Sequence, residues 1–444
     1  MNLNERKEHT GLKYYIHTFG CQMNENDSEL VAGCLQSLNA RPALSLEESN
    51  LIIINTCAVR QKTEEKLYSL LGRLGHIKKK NNAKIGVIGC MAQLYRAELL
   101  KAKPIIDFVV GPDNYRQIPQ ILAKDKKEKI VSTTWDSDWN KPSESHVIHK
   151  SRHSAFVTIM EGCNNFCSYC IVPFTRGREK FRPKTLILDE IKALSDLNYK
   201  EIILLGQNVN SYKDPDNRFG FVELLYEINR ISGFEWLRFI TSHPKNFTEE
   251  IVCAMNENKK ICHSLHLPVQ AGSTATLIRM KRRYTREEYL EKIMILRNLM
   301  PDISLSTDII VGFPGETDEE YQETLNLLKE VRYTNIFSFR YSPRPQTSSS
   351  LEGDSVALDI KKKRLIDLQA LQKNIQLEIN RSFIGKIVKT LCLGHSKKDS
   401  TGYTGRNEGY QVINFDSDKN VIGQFVNVKI TGCGSYSLHG HIIA

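Results

Sequence analysis

Three thiols stand at C-x-x-x-C-x-x-C spacing in the stretch EGCNNFCSYCIVPFTRGR: Cys163, Cys167 and Cys170. They follow an apolar run, Phe156 to Met160, that reads as a strand. Three close cysteines on one loop can wrap a corner of an iron–sulfur cube. Such a cube normally takes four thiolates. With three, one iron keeps an open position, as catalytic metal sites do, and can bind a substrate or cofactor there. The alternative is a structural zinc site. Zinc wants four ligands, usually from two C-x-x-C pairs, and this chain has no second pair.

Three more cysteines end apolar runs: Cys21 in YIHTFGC, Cys57 in LIIINTC and Cys90 in IGVIGC. Ligands of open α/β sheets bind outside the carboxyl ends of the strands. Thiols at three successive strand ends can therefore converge on one point, as a second three-thiolate site. Gly20 and Gly89 beside two of them suit close approach of backbone to a ligand. The alternative is three ordinary buried thiols, since free cysteine is often buried. Cys34, Cys253, Cys262, Cys392 and Cys433 have no metal-like spacing and read as core or surface thiols.

The elements that must position these thiols fall into three groups. The chain has 444 residues, enough for two or three domains. Residues 13–128 alternate strands (Lys13–Thr18, Leu51–Asn55, Lys84–Ile88, Asp107–Val110, Lys129–Val131) with helical patterns such as Asp27–Leu38 and Thr63–Ile77. That argues a parallel α/β sheet. The charged, turn-rich text of residues 124–150 marks a boundary, in which Trp135 and Trp139 are expected to pack across domains. Residues 149–380 then carry six βα units, with strands at Phe156–Met160, Glu201–Leu205, Trp236–Thr241, Ser264–Val269, Ser304–Ile310 and Asn335–Arg340. Six units predict a partial (β/α)6 barrel, with chemistry on the loops after the strands. The cysteine loop is the first of these. Ile360 to Ile379 has the apolar spacing of a helix. Residues 381–444 read as a small all-β barrel, in which Lys and Arg outnumber Asp and Glu by eight to four.

Composition narrows the setting. A formal net charge of +10 fits a nucleic-acid partner. No apolar run approaches the roughly 20 residues of a membrane span. The start, MNLNERKEHT, lacks the apolar stretch of a signal peptide. The expected location is the cytoplasm, where eleven cysteines mean metal ligands and buried thiols rather than disulfides.

The spacing of Cys163, Cys167 and Cys170 after a first strand resembles the radical S-adenosylmethionine superfamily. GCNNFCSYCIVPFTRGR, FGCQMNENDSE, INTCAVR and IGCMAQ are similar to the motifs of its methylthiotransferases, and Gln22-Met23-Asn24 favours the branch acting on dimethylallyl adenosine in tRNA. The tail resembles a TRAM domain, an RNA-binding barrel.

The resemblance implies two 4Fe-4S clusters, one on Cys21, Cys57 and Cys90, the other on Cys163, Cys167 and Cys170. The latter binds S-adenosylmethionine, with Gly206, Gln207, Asn208, Ser242 and Gln270 on the cofactor-cradling loops. One S-adenosylmethionine yields the 5′-deoxyadenosyl radical that takes hydrogen from carbon 2 of N(6)-dimethylallyladenosine at position 37, beside the anticodon. A second supplies the methyl group, and the N-terminal cluster presents the methylated sulfur. Arg176, Arg178, Arg282, Arg283 and Arg406 are the expected contacts to the tRNA anticodon stem-loop; a solvated charged face is the alternative. An electron donor and a sulfur donor are implied but not identified, and the chain is expected to act as a monomer.

Two positions depart from the family text: Phe181 in place of Ser, and Gln346 in place of Gly, which implies a differently shaped loop there. Two rivals remain open at this level. One is the same chemistry on threonyl-carbamoyl adenosine or a ribosomal protein. The other is a non-enzymatic, metal-stabilised RNA-binding protein.

Overall fold

Six strands form one parallel sheet: β1 (Lys13–Phe19), β2 (Arg41–Pro42), β3 (Leu51–Thr56), β4 (Lys84–Gly89), β5 (Phe108–Val110) and β6 (Ile130–Ser132), in the order β2-β1-β3-β4-β5-β6. The structure is a computed structural model, and it describes residues 11–59, 61–124, 128–137, 139, 147–396 and 402–443. Alternation along β3 explains the two layers of helix. Ile52 and Ile54 face Leu67, Leu70, Leu71 and Leu74 of the helix Gln61–Asn81. Leu51 and Ile53 face Val31 and Leu35 of the helix Gln22–Gln36. A strand buried on both faces needs such a continuous apolar run.

The central body is an arc of six parallel strands. β7 (Ser154–Thr158), β10 (Glu201–Leu205) and β11 (Trp236–Phe239) form one sheet; β12 (Ser264–His266), β13 (Ser304–Val311) and β14 (Asn335–Arg340) form another. A parallel bridge between Leu237 and Ile261 joins them. Between β7 and β10, the two-residue strands β8 (Met160–Glu161) and β9 (Lys180–Phe181) pair antiparallel. The run expected as one strand, Phe156–Met160, is therefore split: β7 ends at Thr158, and Met160 already belongs to the β8–β9 clasp that closes the cysteine loop. Along β13 every second residue is buried. Leu305, Ile309 and Val311 pack with the helices, and Ser304, Ser306 and Asp308 alternate with them onto the opposite, inner face.

The N-terminal helix Gln22–Gln36 leans on this arc. Met23 packs with Phe156, Ile203, Leu205 and Ile240, and the Thr158 hydroxyl donates to Asn26 at 2.7 Å. Lys180 pairs with Asp113 across the same seam at 2.5 Å. Trp139 lines a small cavity there with Asp27, Glu161 and Arg182, and Trp135 lies against Gly177.

The last five strands, β15 (Ile387–His395), β16 (Tyr403–Asn407), β17 (Val412–Asp416), β18 (Phe425–Cys433) and β19 (Leu438–Ile442), close into a barrel in the order β15-β16-β17-β19-β18. β16 was not expected. Its text, YTGRN, has the glycine and polar residues of a turn, and only closure of the barrel on both its sides makes it a strand. This barrel docks on the residues that begin the central strands. Arg238 donates to the carbonyls of Glu408 (2.5 Å) and Asn407 (2.8 Å), and Trp236 meets Phe425 edge-on at 4.7 Å. Gln411 reaches Ser304 at 3.4 Å. The cysteine loop follows the far end of β7, so the two lie at opposite ends of the arc. Among the described residues no helix is long and apolar enough to cross a membrane.

Candidate metal centres at the domain seam

The barrel cysteine loop is held at both ends. Gly162 has φ +77°, and the Cys163 amide donates to the Gly177 carbonyl at 3.2 Å. A Cβ at Gly162 would stand 2.0 Å from the Arg178 carbonyl oxygen. Gln207 accepts from the Gly162 amide at 2.5 Å, which makes it a brace of the loop. Inside the loop the three sulfurs lie within each other's fields. Burial pushes the Cys163 thiol up to about 11 and the Cys170 thiol to about 12, and the neighbouring Cys167 sulfur adds to both shifts. Cys167 faces two donors: Arg282 at 3.3 Å and His243 at 3.8 Å. Burial, then the charge of Arg282, pulls His243 down to about 2, so the ring is neutral. Its Nδ1 accepts from the Lys245 amide at 3.2 Å, which leaves the proton on Nε2, facing the sulfur.

The strand-end thiols also converge. Cys57 donates to Cys21: that bond pulls the Cys21 thiol down to about 6 and pushes the Cys57 thiol well up. Cys57 also feels Cys90. Cys21 is exposed, at the rim, and Cys57 and Cys90 are buried. The Cys90 sulfur accepts from Arg176 Nε at 3.4 Å. Arg344, on the loop after β14, donates to the Val59 carbonyl at 2.9 Å beside this trio.

Two of the five arginines expected at RNA are therefore not at the surface. Arg176 is 3% exposed, clamped between Asp27 and Glu161, with the Glu161 bond at 2.8 Å. Arg282 is 4% exposed and donates to the Pro268 carbonyl (2.7 Å), to the Tyr284 hydroxyl (2.8 Å) and to Cys167. A buried, fully bonded guanidinium has no face left for a phosphate. Arg406 is half-buried and bonded to Tyr410 at 2.5 Å, within the strand β16. Arg178 and Arg283 are exposed. Nothing in the sequence separated the buried arginines from the exposed ones, since all follow the cysteine loop or the helix Thr274–Arg279 in similar basic text.

The expected cofactor loops lie after the central strands. Gly206 is placed so that a Cβ would meet the Met160 sulfur at 2.6 Å. The Asn208 Oδ1 and the Ser242 Oγ are buried atoms without a hydrogen-bond partner. Such orphans cost about 1–3 kcal/mol each unless a ligand or water meets them, so they fit a polar cofactor seated between the strand ends. Gln270 is buried with φ +78° and bridges to Ile309. His266 bonds Ser306 at 3.0 Å and stands 3.6 Å from Asp308. The two departures also have places. Phe181 packs edge-on against Tyr212 at 6.0 Å. Gln346 has φ +68°, so the chain keeps a left-handed turn there without the glycine that takes it at no cost.

The donor chemistry of both trios fits a thiolate-held cluster with an open position. Cys57, Cys163 and Cys170 hold their protons, as their raised values indicate. A cationic metal centre reverses that balance by binding the thiolate.

Three family models match the chain: "Uncharacterized protein family UPF0004" over residues 13–111, the radical SAM superfamily over residues 157–328, and the TRAM domain over residues 381–443. The tRNA-2-methylthio-N(6)-dimethylallyladenosine synthase of Acetivibrio thermocellus is 44% identical over 450 residues, covering 99% of this chain and 94% of that protein. Those of Syntrophus aciditrophicus (43%, covering 97% and 94%) and Clostridium botulinum (44%, covering 99% of each) are similar. Among solved structures, the radical S-adenosylmethionine methyltransferase TsrM of Kitasatospora setae superposes with a TM-score of 0.58 at 13% identity, covering 77% of each chain. The radical enzyme OxsB gives a TM-score of 0.51, also at 13%, covering 82% of this chain and 57% of that one. These two share its fold. By near-complete coverage at this identity, the chain belongs to the family of the tRNA-2-methylthio-N(6)-dimethylallyladenosine synthases.

Proposed function

We propose that this protein is a tRNA-2-methylthio-N(6)-dimethylallyladenosine synthase, which replaces the hydrogen on carbon 2 of N(6)-dimethylallyladenosine at position 37 of tRNA by a methylthio group. The convergence of two separate thiol trios at one seam carries this reading, together with the full-length similarity to synthases of that name. Cys163, Cys167 and Cys170 would hold one 4Fe-4S cluster, which binds S-adenosylmethionine, and Cys21, Cys57 and Cys90 the other. When bound, these groups supply one-electron chemistry at carbon 2 and the methylated sulfur, with a second S-adenosylmethionine as methyl donor.

The chain's own residues do the positioning. The β8–β9 clasp and Gln207 fix the barrel cysteine loop. Arg282 and neutral His243 donate toward Cys167, and Ser242 and Asn208 offer unpaired oxygens to the cofactor. Arg178 and Arg283 are the exposed cations near the loop that can meet the RNA backbone. The working divisions are residues 13–128, 149–380 and 381–444, the last acting as an RNA-binding module. The protein works in the cytoplasm as a single chain with separate electron and sulfur donors.

The test is anaerobic incubation of reconstituted protein with reductant, S-adenosylmethionine, sulfide and tRNA bearing dimethylallyl adenosine. Mass spectrometry of the nucleosides should reveal the 2-methylthio product. Absence of that product, or conversion of threonyl-carbamoyl adenosine instead, overturns the reading.

A further inference from the structure

Arg176 belongs to the barrel's cysteine loop, yet its Nε lies 3.4 Å from the sulfur of Cys90, in the other domain. Its remaining nitrogens are occupied by two carboxylates. Nη1 donates to Glu161 at 2.8 Å and to Asp27 at 3.3 Å, and Nη2 donates to Asp27. Asp27 also accepts from the Tyr115 hydroxyl at 3.0 Å. Arg176, Asp27 and Glu161 are all 3% exposed or less. Little water screens a group so placed, and a charge there acts on its neighbours far more strongly than at a surface. The planar fork is aimed rather than mobile: two of its edges are held by carboxylates, and the third, Nε–H, meets the sulfur.

We infer that Arg176 is a positioning residue that sets the reduction potential of the N-terminal cluster, by donating a hydrogen bond and a buried positive charge to its Cys90 ligand. The inference rests on the reading that Cys21, Cys57 and Cys90 hold that cluster. One-electron reduction adds one negative charge to the cluster. A cation bonded to a ligand sulfur stabilises the reduced state over the oxidised one and raises the potential. Hydrogen bonds to the sulfurs and net charge are the levers by which proteins set such potentials. Asp27 and Glu161 oppose that effect, so the potential reflects the balance of the three charges. The same geometry ties the barrel loop to the second cluster site.

The test is an EPR-monitored redox titration of full-length, anaerobically reconstituted protein. A parallel Cys163→Ala/Cys167→Ala/Cys170→Ala chain identifies which signal belongs to the N-terminal cluster. Arg176→Gln should lower the potential of that cluster, and Asp27→Asn should raise it. Arg176→Lys keeps the charge but loses the fork, and should fall between wild type and Arg176→Gln. Opposite signs from two neighbouring substitutions are not what a general loosening of the seam produces. If Arg176→Gln does not fold, because Asp27 and Glu161 lose their cation, Asp27→Asn and Arg176→Lys still give the two directions. An unchanged potential in those variants, or shifts of the same sign, overturns the inference. Absence of a second cluster in the wild-type protein, read by iron content and Mössbauer spectroscopy, overturns the underlying reading instead.

Discussion

A buried thiol beside two others is stable only as a thiol or as a metal ligand. Cys163 and Cys170 are pushed up to about 11 and 12, chiefly by burial, and Cys57 is pushed well up by its bond to Cys21. None of the three is a free thiolate at neutral pH, and a bound metal would reverse that balance. The two trios differ in what surrounds them. Cys167 faces His243 and Arg282 at the barrel mouth, near the unpaired oxygens of Ser242 and Asn208. Cys57 and Cys90 face Arg344 and Arg176 at the seam. Different surroundings predict different losses. Cys163→Ala should reduce formation of 5′-deoxyadenosine from S-adenosylmethionine to background. Cys57→Ala should retain part of that formation while giving no methylthio nucleoside. Both products are read from one quenched reaction by liquid chromatography and mass spectrometry. Equal loss of 5′-deoxyadenosine in the two variants contradicts this division of labour.

At the scale of the element, the loop between β8 and β9 is a closed hoop, and Gly162 is where it begins. A Cβ there meets the Arg178 carbonyl at 2.0 Å, and φ is +77°. Gly162→Ala therefore has to open the clasp. Strained backbone of this kind costs about 1–3 kcal/mol, and the clasp has only two paired residues per strand to oppose it. The variant should fold, keep the N-terminal cluster and lose most of the barrel cluster. Iron content should fall toward half of wild type while circular dichroism is unchanged. Full iron content would show that the hoop is not what seats the cluster. The elements were legible in the sequence where packing follows periodicity. β10 and β14 have their expected bounds. β16 was not legible, because the pattern YTGRN says turn until its neighbours close around it. Nor were the fates of Arg176 and Arg282. Both lie in basic text, and the partners Asp27 and Cys167 that hold them are distant in the chain. Charge can be read from sequence, whereas burial of a charge depends on partners that only the fold assembles.

At the scale of the whole molecule, the C-terminal barrel sits at the end of the central arc where the strands begin, and the cysteine loop sits where they finish. Its docking surface uses Phe425, Gln411 and the carbonyls of Asn407 and Glu408, which removes that side from any role at RNA. Left open is the part of the outer face of β15, β18 and β19 that lies beyond the docked pair Leu391 and Phe425. There Ile387, Lys429 and His441 are paired in register and all exposed, and Tyr436 before β19 is 73% exposed. An exposed lysine on this face and an exposed aromatic ring at the turn that ends it suit a single-stranded or looped RNA: the amine neutralises phosphate, and the ring offers a stacking face. Because this face is remote from the cysteine loop, it should govern binding and not chemistry. Lys429→Glu should weaken tRNA binding and reduce the slope of log affinity against log salt by roughly 0.7–0.9, the share of one phosphate contact. Tyr436→Ala should weaken binding by about 1–3 kcal/mol, as loss of one stacked base does, and leave the salt slope unchanged. Neither should alter 5′-deoxyadenosine formation measured without tRNA. Fluorescence titration of labelled tRNA over a range of salt separates the two effects. An unchanged slope in Lys429→Glu would move the RNA contact to another face of the barrel, and loss of tRNA-independent cleavage in either variant would mean that this domain supports the barrel rather than the substrate.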